Sequence, residues 1–175
     1  MKVEADARLS HPRELVFRTY RDRLTEMLPY LPNIRDISQE SRRDEGSVTR
    51  VVNRWSGAGD DIPRLARSVV TPEMLVWLDH AEWNESEWTC RWRIEHLSFS
   101  EQVDCSGLNH FVETPEGCTV QIRGNLKVDA KRLPGVPKMM AGAVAPVVEG
   151  FIVQAIRPNL VKTADGVAAF LNAQG

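Results

Sequence analysis

The sequence predicts an α+β domain in which a curved antiparallel sheet of about seven strands wraps around one long C-terminal helix. The first observation is the alternation of apolar and polar residues over Cys118–Ala130, which is typical of a strand with one buried and one solvent-exposed face. The second is an alanine-rich apolar stretch of helical spacing, from about Val136 to Leu171. The third is that three consecutive hairpins keep the same side chains on one face. Such a sheet and helix tend to enclose an internal cavity that suits a small hydrophobic molecule.

The composition narrows the class of protein. A chain of 175 residues predicts one domain, residues 1–175, and the net charge of −2 provides no basic field for nucleic acid. The start, Met1–Asp6, does not resemble a signal peptide, and no apolar run reaches membrane-spanning length. Cys90, Cys105 and Cys118 lack metal-site spacing, which predicts free buried thiols in a reducing compartment. We therefore expect a cytoplasmic protein with no cofactor, no metal ion, no nucleic-acid partner and no stable membrane insertion.

The first third of the chain alternates between strand and helix patterns. Apolar residues alternate with charged ones over Lys2–Leu9, which predicts a strand. Ser10 is predicted to cap the following helix, which Pro29 and Pro32 end. Two strands are expected near Ile34–Arg42 and Ser47–Trp55.

The register of the hairpin formed by residues 76–94 is predicted from the charges of its side chains. Asp79 set opposite Arg91 forms an opposite-charge pair on the outer face of the sheet. The inner face then carries Val76, Leu78, His80, Glu82, Trp88, Cys90, Trp92 and Ile94.

Two further hairpins extend this inner face. Facing glycines in the last one indicate a bend or a close approach by another element. The predicted pairs are Trp92 with Cys105, Ile94 with Val103, Phe111 with Val120, Asn109 with Ile122 and Gly107 with Gly124.

These elements resemble the START-like helix-grip superfamily, which includes polyketide cyclases, plant pollen allergens and lipid-transfer domains. The resemblance covers the first strand, the helix start at His11–Phe17, the meander Leu75–Ala130 and the closing helix. Within the superfamily, Arg93–Phe111 is similar to a strand pair of the PRELI-type phospholipid-transfer branch. The resemblance implies a cavity that accepts a lipid or polycyclic molecule. It implies no reaction, because the same fold serves carriers, cyclases and regulators.

The candidate site follows from the inner face. Trp88 and Trp92, two apart on one predicted strand, are either core or a platform for a flat or acyl ligand. The catalytic candidates are His80, Glu82 and Asn109: the first two are a general acid–base pair or lie in water at the sheet's open end. Asn109 binds a ligand carbonyl or hydroxyl, or satisfies a backbone group. The predicted ligand-binding residues are Leu78, His80, Trp88, Cys90, Trp92, Cys105, Asn109, Phe111, Val120 and Ile122 on the sheet and Met140, Val144, Val147 and Phe151 on the helix.

The favoured function is binding or transport of a hydrophobic small molecule, such as a lipid or polyketide-like compound. The reason is that the sequence contains no recognisable set of catalytic residues. The alternatives are an aromatase/cyclase-like enzyme and a regulatory or interaction protein with a residual or filled cavity. The wide apolar stripe of the helix is compatible with a cavity or with a homodimer interface. Ligand entry is expected between a mobile segment, Ser56–Thr71, and the closing helix, with Ile62 and Leu65 as a lid. The alternative is that Ser56–Thr71 is an ordinary surface loop.

Overall fold

The computed structural model describes residues 2–59, 72–98, 100–129 and 161–174. Within them the chain forms an α-helix, two 3₁₀ helices, seven strands and a C-terminal helical segment at 161–172. In chain order these are β1 (Lys2–Leu9), α1 (Arg13–Asp22), the 3₁₀ helix Leu24–Tyr30, β2 (Ile34–Glu45), β3 (Val48–Gly57), the 3₁₀ helix Pro72–Leu75, β4 (Val76–Asn84), β5 (Thr89–His96), β6 (Val103–Thr114) and β7 (Gly117–Val128).

The seven strands form one antiparallel sheet in the order β1-β7-β6-β5-β4-β3-β2. The sheet is curved and is accompanied by a C-terminal helix, so the predicted fold class is confirmed. Much of the predicted long helix, residues 136–160, and the predicted short helix Ile62–Arg67 lie outside the described residues. The cavity that they would border therefore stays a prediction. None of the helices among the described residues is both long and apolar enough to cross a membrane.

The first strand forms as predicted, but the helix after it begins later. Pro12 occupies the N-cap position of α1, and no described side chain caps it, so the predicted Ser10 cap is wrong. The chain before Pro12 packs against Gly117, where an added Cβ would lie 2.7 Å from the His11 backbone nitrogen. The α-helix also ends earlier than predicted, at Asp22, and the following turn containing Pro29 is a 3₁₀ helix.

The three predicted hairpin registers meet different outcomes. Between β6 and β7 the register is confirmed, with Gly107 opposite Gly124. Between β5 and β6 it is shifted by two residues, since Trp92 lies opposite Gly107 rather than Cys105. An even shift preserves the face of every side chain, so the inner face of both strands is the predicted one.

Between β4 and β5 the predicted register is wrong by three residues, because Asp79 lies opposite Ile94 rather than Arg91. The observed hairpin closes through the four-residue loop Glu85–Trp88, between the paired residues Asn84 and Thr89. The side-chain oxygen of Asn84 accepts hydrogen bonds from the backbone N–H groups of Ser86 at 3.1 Å and Glu87 at 3.2 Å, which stabilises that loop. An odd shift exchanges the two faces of a strand. The inner face of β4 therefore carries Trp77, Asp79, Ala81 and Trp83, and Val76, Leu78, His80 and Glu82 point outward.

The core lies between the inner face, α1 and the C-terminal segment. Phe17 of α1 makes T-shaped contacts with three aromatic rings, at centroid distances of 5.1 Å to Trp83, 5.3 Å to Trp88 and 5.1 Å to Phe111. The C-terminal segment buries Phe170, whose ring centroid lies 5.8 Å from that of Tyr30. This end of the inner face is therefore closed by aromatic packing.

The facing glycines mark a close approach, as predicted. The approaching group is the indole of Trp92 from the neighbouring strand, which lies across both glycines. A Cβ added at Gly124 would lie 2.9 Å from the indole Cη2 atom. The two glycines thus make room for one large buried side chain.

Candidate functional site

The inner face of the sheet differs in exposure between its two ends. Near α1 the inner-face side chains are buried, including Phe111 and Val120. At the other end, where β4 begins and β5 ends, Trp77, Asp79 and Ile94 are half-buried. We call this end the β3–β5 cluster, which consists of Asn53, Trp55, Trp77, Asp79, Ile94 and His96.

Aromatic rings form one side of the β3–β5 cluster. The strand pairing places Trp55 opposite Trp77 and Trp77 opposite His96. The two indoles stack with centroids 5.9 Å apart and planes 14° apart, and the His96 ring lies 6.3 Å from Trp77 at a tilt of 48°. The result is a row of flat side chains across three strands.

Polar groups without partners form the other side. Asn53, which is 7% exposed, lies directly opposite Asp79 on the neighbouring strand. Neither side chain makes a hydrogen bond or an ion pair within the described part of the chain, and the buried Nε1 of Trp55 likewise has no partner there. An unsatisfied buried polar group costs about 1–3 kcal/mol. One such buried group, the Trp55 Nε1, together with the partnerless side chains of Asn53 and Asp79, indicates a surface that a ligand can complete.

The electrostatics of the cluster are set by burial. Burial raises the pKa of the Asp79 carboxyl from 3.8 to about 7. Burial also lowers the pKa of His96 from 6.5 to about 4, so that its imidazole is neutral at physiological pH. Near neutral pH the cluster therefore contains a carboxyl group that exchanges readily between its protonated and ionised forms, and it contains no cation.

Most of the predicted sheet residues do share the inner face. Those on β5, β6 and β7 are Cys90, Trp92, Cys105, Asn109, Phe111, Val120 and Ile122. All except Asn109 are buried and belong to the core. Asn109 accepts a hydrogen bond from Trp92 Nε1 at 2.8 Å, so its carbonyl oxygen is held by a side chain rather than by a backbone group.

Trp88 does not lie on a strand. It occupies the last position of the β4–β5 loop with φ +54°, in the left-handed region that bulky residues rarely adopt. Its ring packs against Phe17, and the Arg13 guanidinium lies 4.5 Å from the ring centroid. Trp88 therefore anchors α1 at the closed end of the inner face.

The predicted acid–base pair is not formed. His80 lies on the outer face, where its Nε2 is 2.9 Å from Glu95 Oε2. Glu82 lies on the same face and pairs with Arg50 at 2.9 Å. Leu78 shares that outer face with them, because all three follow the shifted register of β4. The helix residues Met140, Val144, Val147 and Phe151 lie outside the described residues.

Sequence reasoning missed the β3–β5 cluster through that register. The predicted register puts Asp79 on the outer face, and alternation assigns neither Trp55 nor Trp77 to a face as firmly as Trp88 and Trp92. The signal that could have found them is Asn84 followed by Glu85-Ser86-Glu87, because an asparagine whose side chain bonds the backbone two residues on favours a loop directly after it. Among the described residues no group of three or more His, Cys, Asp or Glu side chains could hold a metal ion.

Comparison with known proteins supports the fold. No protein-family model matches the chain, and no curated protein matches it. Several solved structures do. The TTHA0849 protein from Thermus thermophilus is 18% identical, with 97% of this chain and 98% of that chain covered and a TM-score of 0.65. The Zhui aromatase/cyclase from Streptomyces sp. R1128 is 12% identical, with 97% and 92% covered and a TM-score of 0.60. Ara h 8.0201 is 14% identical, with 99% and 98% covered and a TM-score of 0.58.

The chain has the START-like helix-grip fold. This confirms the predicted resemblance at the level of the fold, since identities this low carry no information about the ligand or the reaction. The narrower similarity of Arg93–Phe111 to the PRELI-type branch stays a prediction. In a helix-grip protein the function depends on the side chains of the site, and the candidate site here is the β3–β5 cluster.

Proposed function

We propose that this protein binds a hydrophobic small molecule at the β3–β5 cluster. The apolar part of the molecule would contact Trp77 and Ile94, which are half-buried, and its polar part would contact Asp79 and Asn53. The observation that carries the proposal is the group of unpartnered polar side chains set into a largely apolar inner face.

Energetics favour a ligand at this position. A desolvated carboxyl without a partner lowers the stability of the fold, and a ligand that hydrogen-bonds to Asp79 offsets that loss. Covering roughly 100 Å² of apolar surface around Trp77 adds about 2.5 kcal/mol to binding. Both contributions act at the cluster and neither acts at the closed end near α1, where the inner-face side chains are already packed.

A second candidate function is favoured by one observation. A carboxyl group with a pKa of about 7 donates and accepts protons efficiently near neutral pH, as general acid–base catalysis requires. Among the proteins of the same fold, one is named an aromatase/cyclase. An enzyme of this kind would use Asp79 rather than His80 or Glu82, because those two lie on the outer face.

The test of binding combines native mass spectrometry with tryptophan emission. Protein purified under native conditions should carry a bound molecule that denaturation releases, and adding that molecule back should change the emission. Trp77→Phe should remove most of the change, whereas the matched variant Trp88→Phe should retain it, because Trp88 lies at the closed end.

Two outcomes separate the candidates. If native protein carries nothing and apolar alcohols, acids and naphthalenes all leave the emission unchanged, the proposal is wrong and a regulatory role with a filled interior is favoured. If a substrate is turned over, Asp79→Asn should abolish turnover while binding persists.

A further inference from the structure

The β3–β5 cluster has a hydrogen-bonding pattern that discriminates between ligand end groups. Resting on the proposed function, we infer that it selects hydrophobic molecules whose polar end is an uncharged hydroxyl group over those that end in a carboxylate or an ammonium group.

The polar groups of the cluster that lack partners differ in whether they donate or accept hydrogen bonds. Trp55 Nε1 is only a donor, the carboxyl of Asp79 is an acceptor when ionised, and the amide of Asn53 is both. Trp55 and Asn53 are 6% and 7% exposed, so water reaches neither side chain freely. None of the three is satisfied by another described residue.

The strand pairing places these three side chains on the same face of two neighbouring strands. Asn53 and Asp79 are directly opposite on adjacent antiparallel strands, which places their Cβ atoms about 5 Å apart. Trp55 follows Asn53 by two residues on β3 and therefore shares its face. A ligand group bound on this part of the inner face is therefore offered an acceptor by Asp79 and donors by Trp55 and Asn53.

A hydroxyl group matches that set, because it donates one hydrogen bond and accepts others. It can donate to Asp79 and accept from Trp55 or Asn53. A site built to bond a hydroxyl group discriminates strongly against analogues that leave its buried polar groups unpaired.

A carboxylate matches poorly. It would accept from Trp55 and Asn53 but would meet the carboxyl of Asp79, and the two carboxylates repel each other when both are ionised. Among the described residues the cluster holds no cation to compensate, because burial keeps His96 neutral.

An ammonium group matches poorly for the opposite reason. It would donate to Asp79 but has no lone pair for the Trp55 N–H group, which would stay unsatisfied. An aromatic cage for a cation also needs free ring faces, and the stacking of Trp55 on Trp77 covers one face of each.

The test is isothermal titration calorimetry at pH 7.5 with two matched probe sets. One set is naphthalene carrying a hydroxymethyl, aminomethyl or carboxylate group, and the other is decanol, decylamine and decanoate. In the set that binds, the alcohol should bind at least tenfold more tightly than either charged probe. Asp79→Asn, which keeps the shape but removes the charge, should reduce the preference for alcohol over carboxylate to less than threefold.

The matched control is Glu82→Gln, which removes a carboxylate from the same strand but from the opposite face. It should leave the preference unchanged. Equal affinity for the three end groups, or a preference that Asp79→Asn does not alter, overturns this inference while leaving the proposed function intact. If all six probes fail to bind and native protein carries no molecule, the proposed function and this inference are both wrong. If native protein does carry a molecule, a carboxylate or ammonium end group on it overturns this inference. Circular dichroism of each variant confirms that the fold is retained before titration.

Discussion

Asp79→Asn should stabilise the protein above neutral pH and leave its stability nearly unchanged in acid. The pKa of this carboxyl is 3.8 when exposed and about 7 in the fold. Between these values the unfolded chain releases the proton while the folded chain keeps it. The folded state therefore binds more protons, and the stability of the wild-type protein falls as the pH rises from about 4 to 7. Asparagine does not ionise, so the variant is free of this loss.

The size of the effect follows from the pKa difference. Each pKa unit corresponds to about 1.4 kcal/mol, so a change from 3.8 to about 7 sets an upper bound of roughly 4 kcal/mol at pH 8. Asp79 is half-buried, and water that reaches it screens part of the penalty. We expect the variant to be more stable than the wild type by about 1–4 kcal/mol at pH 8 and by less than about 0.5 kcal/mol at pH 4.

The assay is urea unfolding followed by tryptophan emission at pH values from 4 to 8. The difference in the free energy of unfolding between variant and wild type reports the contribution of Asp79 alone. His96 titrates in both proteins, so its contribution to that difference cancels. Glu82→Gln should change the free energy of unfolding by less than about 1 kcal/mol throughout, since it breaks only an exposed ion pair. A stabilisation by Asp79→Asn that is the same at pH 4 and pH 8 would refute the reasoning, because it would not come from ionisation.

Three further predictions concern the neighbourhood of the cluster and the hairpins that position it. The folded pKa of His96 is depressed from 6.5 to about 4, so its contribution to stability is present above 6.5 and lost as the pH falls toward 4; His96→Gln should remove that loss in the same unfolding series. Gly124→Ala should lower the free energy of unfolding by about 1–3 kcal/mol, because the new methyl group lies 2.9 Å from the Trp92 indole, and an unchanged melting temperature would contradict this packing. Asn84→Ala should destabilise by about 1 kcal/mol through loss of the loop hydrogen bonds, with Asn84→Asp restoring most of it; equal losses for the two variants would show that the side-chain oxygen is not what matters.

The parts of the fold that the sequence predicted correctly are those where several signals agree. Between β6 and β7, strict alternation, the Pro115–Glu116 turn and the facing glycines all select one register. Between β4 and β5 the prediction depended on one charge pair, Asp79 with Arg91. Charge does not distinguish the predicted register from the observed one, because the observed register also places an acidic residue, Glu82, opposite Arg91. A cross-strand charge pair contributes less than about 1 kcal/mol, so the hydrogen bonds of the loop outweigh it.

That single error also explains why the site was not predicted. A predicted register that is wrong by an odd number of residues assigns every side chain of a strand to the opposite face. The prediction therefore placed Asp79 on the outer face and His80 on the inner face. The contacts that define the site, between Asn53 and Asp79 and between Trp55 and Trp77, join strands more than twenty residues apart in the chain. No local pattern marks such a pair, because each strand alone shows only alternation.

The two ends of the inner face differ in how their side chains are packed and satisfied, and Asp79 variants test what that difference means. At the α1 end, aromatic side chains fill the space between the sheet and α1 and pack against one another. At the β3–β5 end, polar groups are desolvated without partners, which weakens the fold. Natural chains retain such a weakness where function requires it. If Asp79→Asn is more stable at pH 8 and at the same time loses its preference for the alcohol probes, the carboxyl serves recognition rather than folding. If the variant gains stability and keeps the preference, recognition depends on Asn53 and Trp55, and Asp79 is not part of it.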